Sequence, residues 1–235
     1  AACVKKKRGE WFLRLGHELK YSHSAYFITL TYHENALPTC RGKPTLLKSD
    51  LKSYLKNIRH KQDAIYKQNN VKIPERFTQN IRHYSIGEYG TQFNRPHYHL
   101  LLFNALPDLI KDIDKQWNYG VTHIGDINPA RMNYMTKYLT KDSRYRDGRQ
   151  NQFTLKSRGR YKPSGIGAEW LLKNADFYRQ NRLLTTINVN GDRQFLPRYY
   201  REYIWPDKEE RDLVIKEALE DYKLRTEKEQ ERILK

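Results

Sequence analysis

Arg95-Pro96-His97-Tyr98-His99-Leu100-Leu101-Leu102-Phe103-Asn104 reads as a strand in which two histidines, one residue apart, lead into an unbroken apolar run. Alternate side chains of a strand share a face, so His97 and His99 point the same way with backbones about 6.6 Å apart. Two imidazoles at that spacing can lean together and chelate one divalent cation. A lone His-x-His is equally an ordinary polar pair on a sheet surface, so the neighbouring segments decide its meaning.

Upstream, Ile81-Arg82-His83-Tyr84-Ser85-Ile86-Gly87-Glu88 is rich in strand formers, and Gly90, Asn94 and Pro96 punctuate the connection, which predicts a hairpin. Antiparallel pairing would end one strand at Glu88 near the place where His97 begins the next. Glu88 would then join the imidazoles as a third ligand, or else pair with Arg95 or Lys72 at the surface; Glu34 and Asp126 are substitute donors. Two nitrogens and one oxygen, with positions left for water and substrate, suit Mn2+ or Mg2+ better than a closed structural zinc site.

A second unusual stretch is Asn128-Pro129-Ala130-Arg131-Met132-Asn133-Tyr134-Met135-Thr136-Lys137-Tyr138-Leu139-Thr140-Lys141. Asn at the N-cap and Pro at the first helical position start a helix. Met132, Met135 and Leu139 form a stripe that can pack on a sheet, while Arg131, Tyr134, Lys137, Tyr138 and Lys141 gather on the opposite side. A phenol ionises near pH ~10, so it becomes a useful nucleophile only when a cation favours the phenolate or a base takes the proton. Lys137 and Lys141 would supply that field and neutralise a phosphate under attack. The bland alternative is an amphipathic helix whose tyrosines pack their rings and wet their hydroxyls.

Phe27-Ile28-Thr29-Leu30-Thr31-Tyr32, then Gly87-Glu88-Tyr89-Gly90 with Arg95-Pro96-His97-Tyr98-His99, then Tyr134-x-x-Lys137-Tyr138-x-x-Lys141, resemble in order the three motifs of the HUH endonucleases that initiate rolling-circle replication. More narrowly, the chain resembles the replication initiators of gokushoviruses, within the Microviridae; Ser157-Arg158, Pro163, Gly165-Ile166-Gly167 and Leu196-Pro197-Arg198-Tyr199-Tyr200 carry the likeness to about residue 206. The resemblance implies metal ligands at His97, His99 and Glu88, paired catalytic tyrosines at Tyr134 and Tyr138, and the following lysines at Lys137 and Lys141. Related plasmid initiators carry an acid in place of Tyr134, which assigns the first cut to Tyr138. The partners implied are single-stranded DNA at the viral origin and a host helicase and DNA polymerase, in the cytoplasm of the bacterial host. Gokushovirus initiators usually begin with a cysteine-rich segment, whereas this chain starts Ala1-Ala2-Cys3 without an initiator Met, as if trimmed.

Charge agrees with a polynucleotide partner. Of a formal net charge of +17, the first 206 residues carry +19 and residues 207–235 carry −2. Such a field attracts polyanions and makes binding steeply salt-dependent. Lys5-Lys6-Lys7-Arg8 leads into an amphipathic stretch with Trp11, Leu15 and Leu19, and Arg144, Arg146, Arg149, Lys156, Arg158, Arg160 and Lys162 crowd a later segment. Arg95, Arg131, Arg158, Arg160 and Lys162 are the cations expected on DNA, and 18 tyrosines offer rings for unpaired bases. No apolar run reaches the length of a signal or membrane segment, Cys3 and Cys40 make neither a disulfide framework nor a zinc pattern, and no Gly-x4-Gly-Lys-Ser/Thr loop is present, which excludes a phosphate-loop helicase motor.

The expected element order is helix 8–20, strand 25–32 at the centre of the sheet, helix 47–69, strands 80–88 and 96–104, helix 106–117, strand 120–124 and the tyrosine helix 129–141. A basic loop region over 143–168, a helix over 169–182 and a charged helix from about 207 follow. This predicts an α+β fold with a ferredoxin-like antiparallel sheet of four to five strands and helices mainly on one face, the HUH endonuclease fold. The expected organisation is an endonuclease domain over 1–206, including a basic extension over 143–206, and a charged C-terminal helix over 207–235. The reading is a metal-dependent nickase and strand transferase acting through a 5′-phosphotyrosine. Its rivals are a transposase or relaxase with the same chemistry, separable by the fate of the ends, and a non-catalytic basic module, separable by the absence of a covalent DNA adduct.

Overall fold

The computed structural model of the chain describes residues 2–72, 80–138, 145–158 and 163–233. Two compact units divide it, Ala1–Ala168 and Glu169–Lys235. The first runs α1 (Ala2–Tyr21), β1 (Ala25–Thr31), a small β2–β3 hairpin (Thr39–Cys40, Lys43–Pro44), α2 (Lys48–Gln68), β4 (Arg82–Tyr89), β5 (Pro96–Phe103), α3 (Pro107–Lys111), β6 (Thr122–Gly125), α4 (Pro129–Lys137) and β7 (Phe153–Lys156). Five strands form one antiparallel sheet in the order β6-β1-β5-β4-β7. The α+β architecture with a five-stranded antiparallel sheet is the one expected from the sequence.

The middle strand is β5, and β1 lies beside it rather than at the centre. Leu100, Leu101, Leu102 and Phe103 are all fully buried, because both faces of the sheet are covered. A strand buried on both sides has no polar alternation, which is why this segment reads as a continuous apolar run. On one face Ile28, Leu30, Tyr98, Leu100 and Leu102 pack with Leu51, Tyr54, Leu55 and Ile58 of α2 and with Leu109 of α3. On the other, Tyr84, Ile86, Leu101 and Phe103 pack with Leu15 of α1 and with Met132 and Met135 of α4. Helices therefore lie on both faces, not mainly on one. The apolar positions of β1 show the reason: Ile28 and Leu30 are buried on the first face while Phe27 packs on the second, so each face needs a helical cover.

Other boundaries move for local reasons. The helix expected over 106–117 stops at Lys111 and yields to a 3₁₀ turn (Asp114–Gln116), which brings Trp117 back onto the core, where its indole N–H donates to the Thr31 carbonyl at 2.8 Å. The segment expected to be a basic loop contains β7, which pairs with β4; its Phe-Thr-Leu-Lys pattern is masked by the charges around it. The second unit contains α5 (Ala168–Gln180), a β8–β9 hairpin (Thr185–Ile187, Arg193–Phe195), α6 (Arg198–Ile204) and α7 (Lys208–Ile233), with Trp170 stacked on Tyr200 at 5.0 Å. No helix among the described residues is long and apolar enough to cross a membrane.

One buried ion pair ties α1 to the sheet. Glu18 accepts from the Arg82 guanidinium and from the Gly167 amide at 2.6 Å, and Arg82 also donates to the Gly165 carbonyl; both side chains are buried. Removing one partner leaves an uncompensated buried charge, so Glu18→Ala is expected to cost about 3–5 kcal/mol. Thermal melting checks this; a loss below about 1 kcal/mol would mean that the site relaxes or hydrates instead.

Candidate active site

Register builds the site before any side chain is considered. Glu88 of β4 stands opposite His97 of β5, and Ile86 opposite His99, while Thr31 and Thr29 of β1 flank the same two histidines. Directly opposite residues share a face, so Glu88, His97, His99 and Thr29 all project from the side covered by α1 and α4. The Asn128 side chain caps α4 by accepting from the Arg131 amide at 2.9 Å, with Pro129 in the first turn, as the sequence predicts. Met132 and Met135 anchor the helix on the sheet.

Four side chains then meet on one carboxylate oxygen. Glu88 Oε1 lies 2.9 Å from His97 Nε2 and 3.0 Å from His99 Nε2, and it accepts a hydrogen bond from the Tyr134 hydroxyl. The Tyr138 hydroxyl is 3.0 Å from that of Tyr134. Glu88 is only 2% exposed, against 21% for the His97 side chain and 14% for His99, so the carboxylate forms the floor and the imidazoles the open rim. The tyrosines are half-buried against the sheet-facing cluster instead of standing on the helix side away from the sheet. Their rings flank the methionine stripe closely enough for the hydroxyls to reach the histidines' carboxylate.

The donor set fits a divalent cation. The donor atoms of Glu88, His97 and His99 lie within 4.8 Å of one another. His97 Nδ1 is 3.1 Å from the Arg95 carbonyl, which can only accept, so in the neutral ring the proton sits on Nδ1 and Nε2 faces Glu88 with a lone pair. Two electron-rich atoms 2.9 Å apart require something positive between them, a second ring proton or a metal ion. Glu88 Oε2 is buried and has no hydrogen-bond partner among the described residues, a cost that coordination would remove. His99 is oriented by Thr29 Oγ1, 2.9 Å from Nδ1, and by the Phe27 ring stacked on it at 5.3 Å. Such contacts fix the direction of the ligating nitrogen.

The electrostatics are set by the carboxylate. Burial pushes the Glu88 carboxyl up, but hydrogen bonds from His97, His99 and Tyr134 outweigh it and hold the group down at about 2. Burial, the hydrogen bond to Glu88 and that group's charge push the Tyr134 phenol above its ordinary range. This is opposite to the lysine-assisted lowering expected from the sequence, because the nearest charge to Tyr134 is a carboxylate. Lys137 is exposed on α4, and Leu139 and Lys141 lie outside the described residues.

The remaining candidates divide. Glu34 does not join the cluster: it is paired with Arg95 and its side chain is 83% exposed. Asp126 is exposed and not part of the three-donor group. Arg95 also donates to the Tyr32 carbonyl at 3.0 Å, and the alternative pairing of Glu88 with Arg95 is replaced by the pairing with Glu34. Arg131 lies 4.9 Å over the Phe27 ring and donates to the Asp126 carbonyl, at the rim of the same face. Arg158 is exposed just beyond β7; Arg160 and Lys162 lie outside the described residues. Thr29 and Phe27 carried no role in the sequence reading, although the alternation of β1 already placed them on one face with Thr31.

A family model of replication-associated proteins of the ORF2 type matches residues 25–143, a span that starts at β1 and contains every side chain of the cluster. The chain is similar to "Replication-associated protein ORF2" of Spiroplasma virus 4, 28% identical over 246 residues covering 92% of this chain and 72% of that one. It is also similar to "Replication-associated protein VP4" of Bdellovibrio phage phiMH2K, 24% identical over 219 residues covering 86% and 64%. No solved structure matches the chain.

Proposed function

Because the chain belongs to the ORF2 family of replication-associated proteins, we propose that it initiates rolling-circle replication of a viral genome as an HUH-type nickase and strand transferase, acting on single-stranded origin DNA in the cytoplasm of the bacterial host. The observation that carries this reading is the convergence of Tyr134 and Tyr138 with His97 and His99 on one buried carboxylate. A divalent cation, Mg2+ or Mn2+, held by Glu88, His97 and His99 would polarise the scissile phosphate and stabilise charge developing on its oxygens. Tyr138 makes the first cut: its phenol oxygen bonds to phosphorus, the bond to the 3′ oxygen breaks, the phenol gives up its proton and the departing oxygen gains one. The products are a 5′-phosphotyrosine ester and a 3′ hydroxyl that a polymerase can extend. After one round Tyr134 attacks the regenerated junction, and the ester conserves the bond energy needed to rejoin the ends. Strand separation falls to a host helicase. Residues 1–206 form the endonuclease domain with its basic extension from 143, and the charged helix beyond 207 is an appendage.

A labelled single-stranded origin oligonucleotide tests this reading. A denaturation-resistant adduct that requires divalent metal, followed by circular product, supports it; salt-sensitive binding with no adduct would reduce the protein to a basic binding module.

The strand is expected to leave the site along the same sheet face. Lys156 stands opposite Tyr84 on β4, and Tyr84 alternates onto the face of Glu88. Its ammonium lies 4.1 Å from the centre of the Trp11 ring, and the Arg14 guanidinium lies 4.2 Å from the same ring. Burial, then the charges of Arg14, Arg158 and Lys7, lower the Lys156 pKa to about 8. A DNA phosphate binds the protonated form, so affinity for a short single strand should fall as pH rises from about 7 to 9. Lys156→Gln should bind more weakly at pH 7 and lose that part of the decline. Anisotropy titrations at constant salt read both, and an unaltered pH profile in the variant would remove Lys156 from the DNA path.

A further inference from the structure

The connection between β4 and β5 is closed by two backbone hydrogen bonds, Gly90 N–H to the Arg95 carbonyl at 2.9 Å and Asn94 N–H to the Gly90 carbonyl at 3.1 Å, with Asn94 in the left-handed region at φ 50°. This tight turn presents Phe93 outward with 76% of its surface exposed, beside a cavity of about 270 Å³. Gly90, Thr91, Gln92, Phe93, Arg95 and His97 line that cavity. One wall is thus an exposed aromatic ring and another is an imidazole of the proposed metal site. A β-carbon on Gly90 would lie 3.6 Å from the His97 ring, so glycine keeps the cavity wide where the two meet.

We propose that this cavity is a nucleobase subsite, in which Phe93 stacks on an unpaired base of the strand next to the scissile phosphate. The inference rests on the nickase reading and extends it to a sequence preference beside the cut. A base has a π-face for the ring and donor and acceptor groups on its edges. The Thr91 hydroxyl and Gln92 amide can meet those edges. Arg95 is held by Glu34 and the Tyr32 carbonyl, and so serves as a wall instead of a phosphate clamp. The net charge of +19 over the first 206 residues favours a nucleic acid as the occupant over an apolar protein segment.

The test uses the full chain, origin oligonucleotides each carrying one abasic site at successive positions around the cut, and the variants Phe93→Ala and Phe93→Trp. At subsaturating DNA the wild type should lose about tenfold in adduct formation at one position only, the scale of one aromatic–base stack. Phe93→Ala should show that loss on the intact strand and no further loss at the abasic position, and Phe93→Trp should restore discrimination. Retention of the positional loss in Phe93→Ala, no positional loss in the wild type, or a change in oligomeric state without a change in base dependence would overturn the subsite. If the wild type forms no adduct at all, the nickase reading fails, and anisotropy with the same oligonucleotides still decides whether Phe93 stacks on a base.

Discussion

Replacing both Tyr134 and Tyr138 by Phe is expected to abolish the covalent protein–DNA adduct, a loss on the order of a thousandfold or more, while either single replacement leaves measurable cutting. The two hydroxyls are 3.0 Å apart and share one pocket, so one phenol can partly substitute for the other. Phe keeps the rings in place against the sheet, and the folded state should survive. The singles should differ: Tyr138→Phe suppresses the first cut, whereas Tyr134→Phe spares it and impairs the second transfer. Tyr134→Phe also removes one of the hydrogen bonds that hold the Glu88 carboxyl low. Denaturing gels with an end-labelled oligonucleotide separate the steps, and an adduct persisting in the double variant would mean that the nucleophile is elsewhere.

The second large effect concerns the histidines. Ala at both His97 and His99 should eliminate metal-dependent cleavage yet leave salt-sensitive DNA binding nearly intact, since the cations on the DNA path lie elsewhere on the molecule. The variant should also lose the stabilisation that Mn2+ or Mg2+ gives the wild type, which scales with the logarithm of free metal over its dissociation constant. Thermal melts across a metal series read this independently of catalysis. Equal cleavage by the variant, or full wild-type activity in excess chelator, would count against the site. Without its two histidine partners Glu88 would also become a buried carboxylate held by Tyr134 alone, so the variant should be less stable even in the absence of metal.

Much of this arrangement was legible in the residues because short-range periodicity governs it. The alternation of β5 put His97 and His99 on one face, hairpin punctuation at Gly90 and Asn94 brought Glu88 opposite His97, and Asn128-Pro129 marked the start of α4. What escaped depends on how elements pack. Both faces of the sheet are covered because β1 and β5 are apolar on both sides, and that requires knowing which helix lies where. The strand over 153–156 was hidden by surrounding arginines and lysines, since four residues give too few alternations to stand out. The sign of the effect on Tyr134 was misread for a similar reason. Lys137 is its neighbour in sequence, but Glu88 is its neighbour in space, and a buried hydrogen-bonded carboxylate outweighs an exposed ammonium.

The central claim is that one pocket joins the phenols to the imidazole–carboxylate set. Its most direct measurement is mass spectrometry of protein incubated with single-stranded origin DNA, digested to mononucleotide remnants, with Mn2+ or with chelator. The account predicts a nucleotide phosphate on Tyr134 or Tyr138 that appears only with metal. The same modification formed in chelator, or a remnant mapped to any other residue, would contradict it.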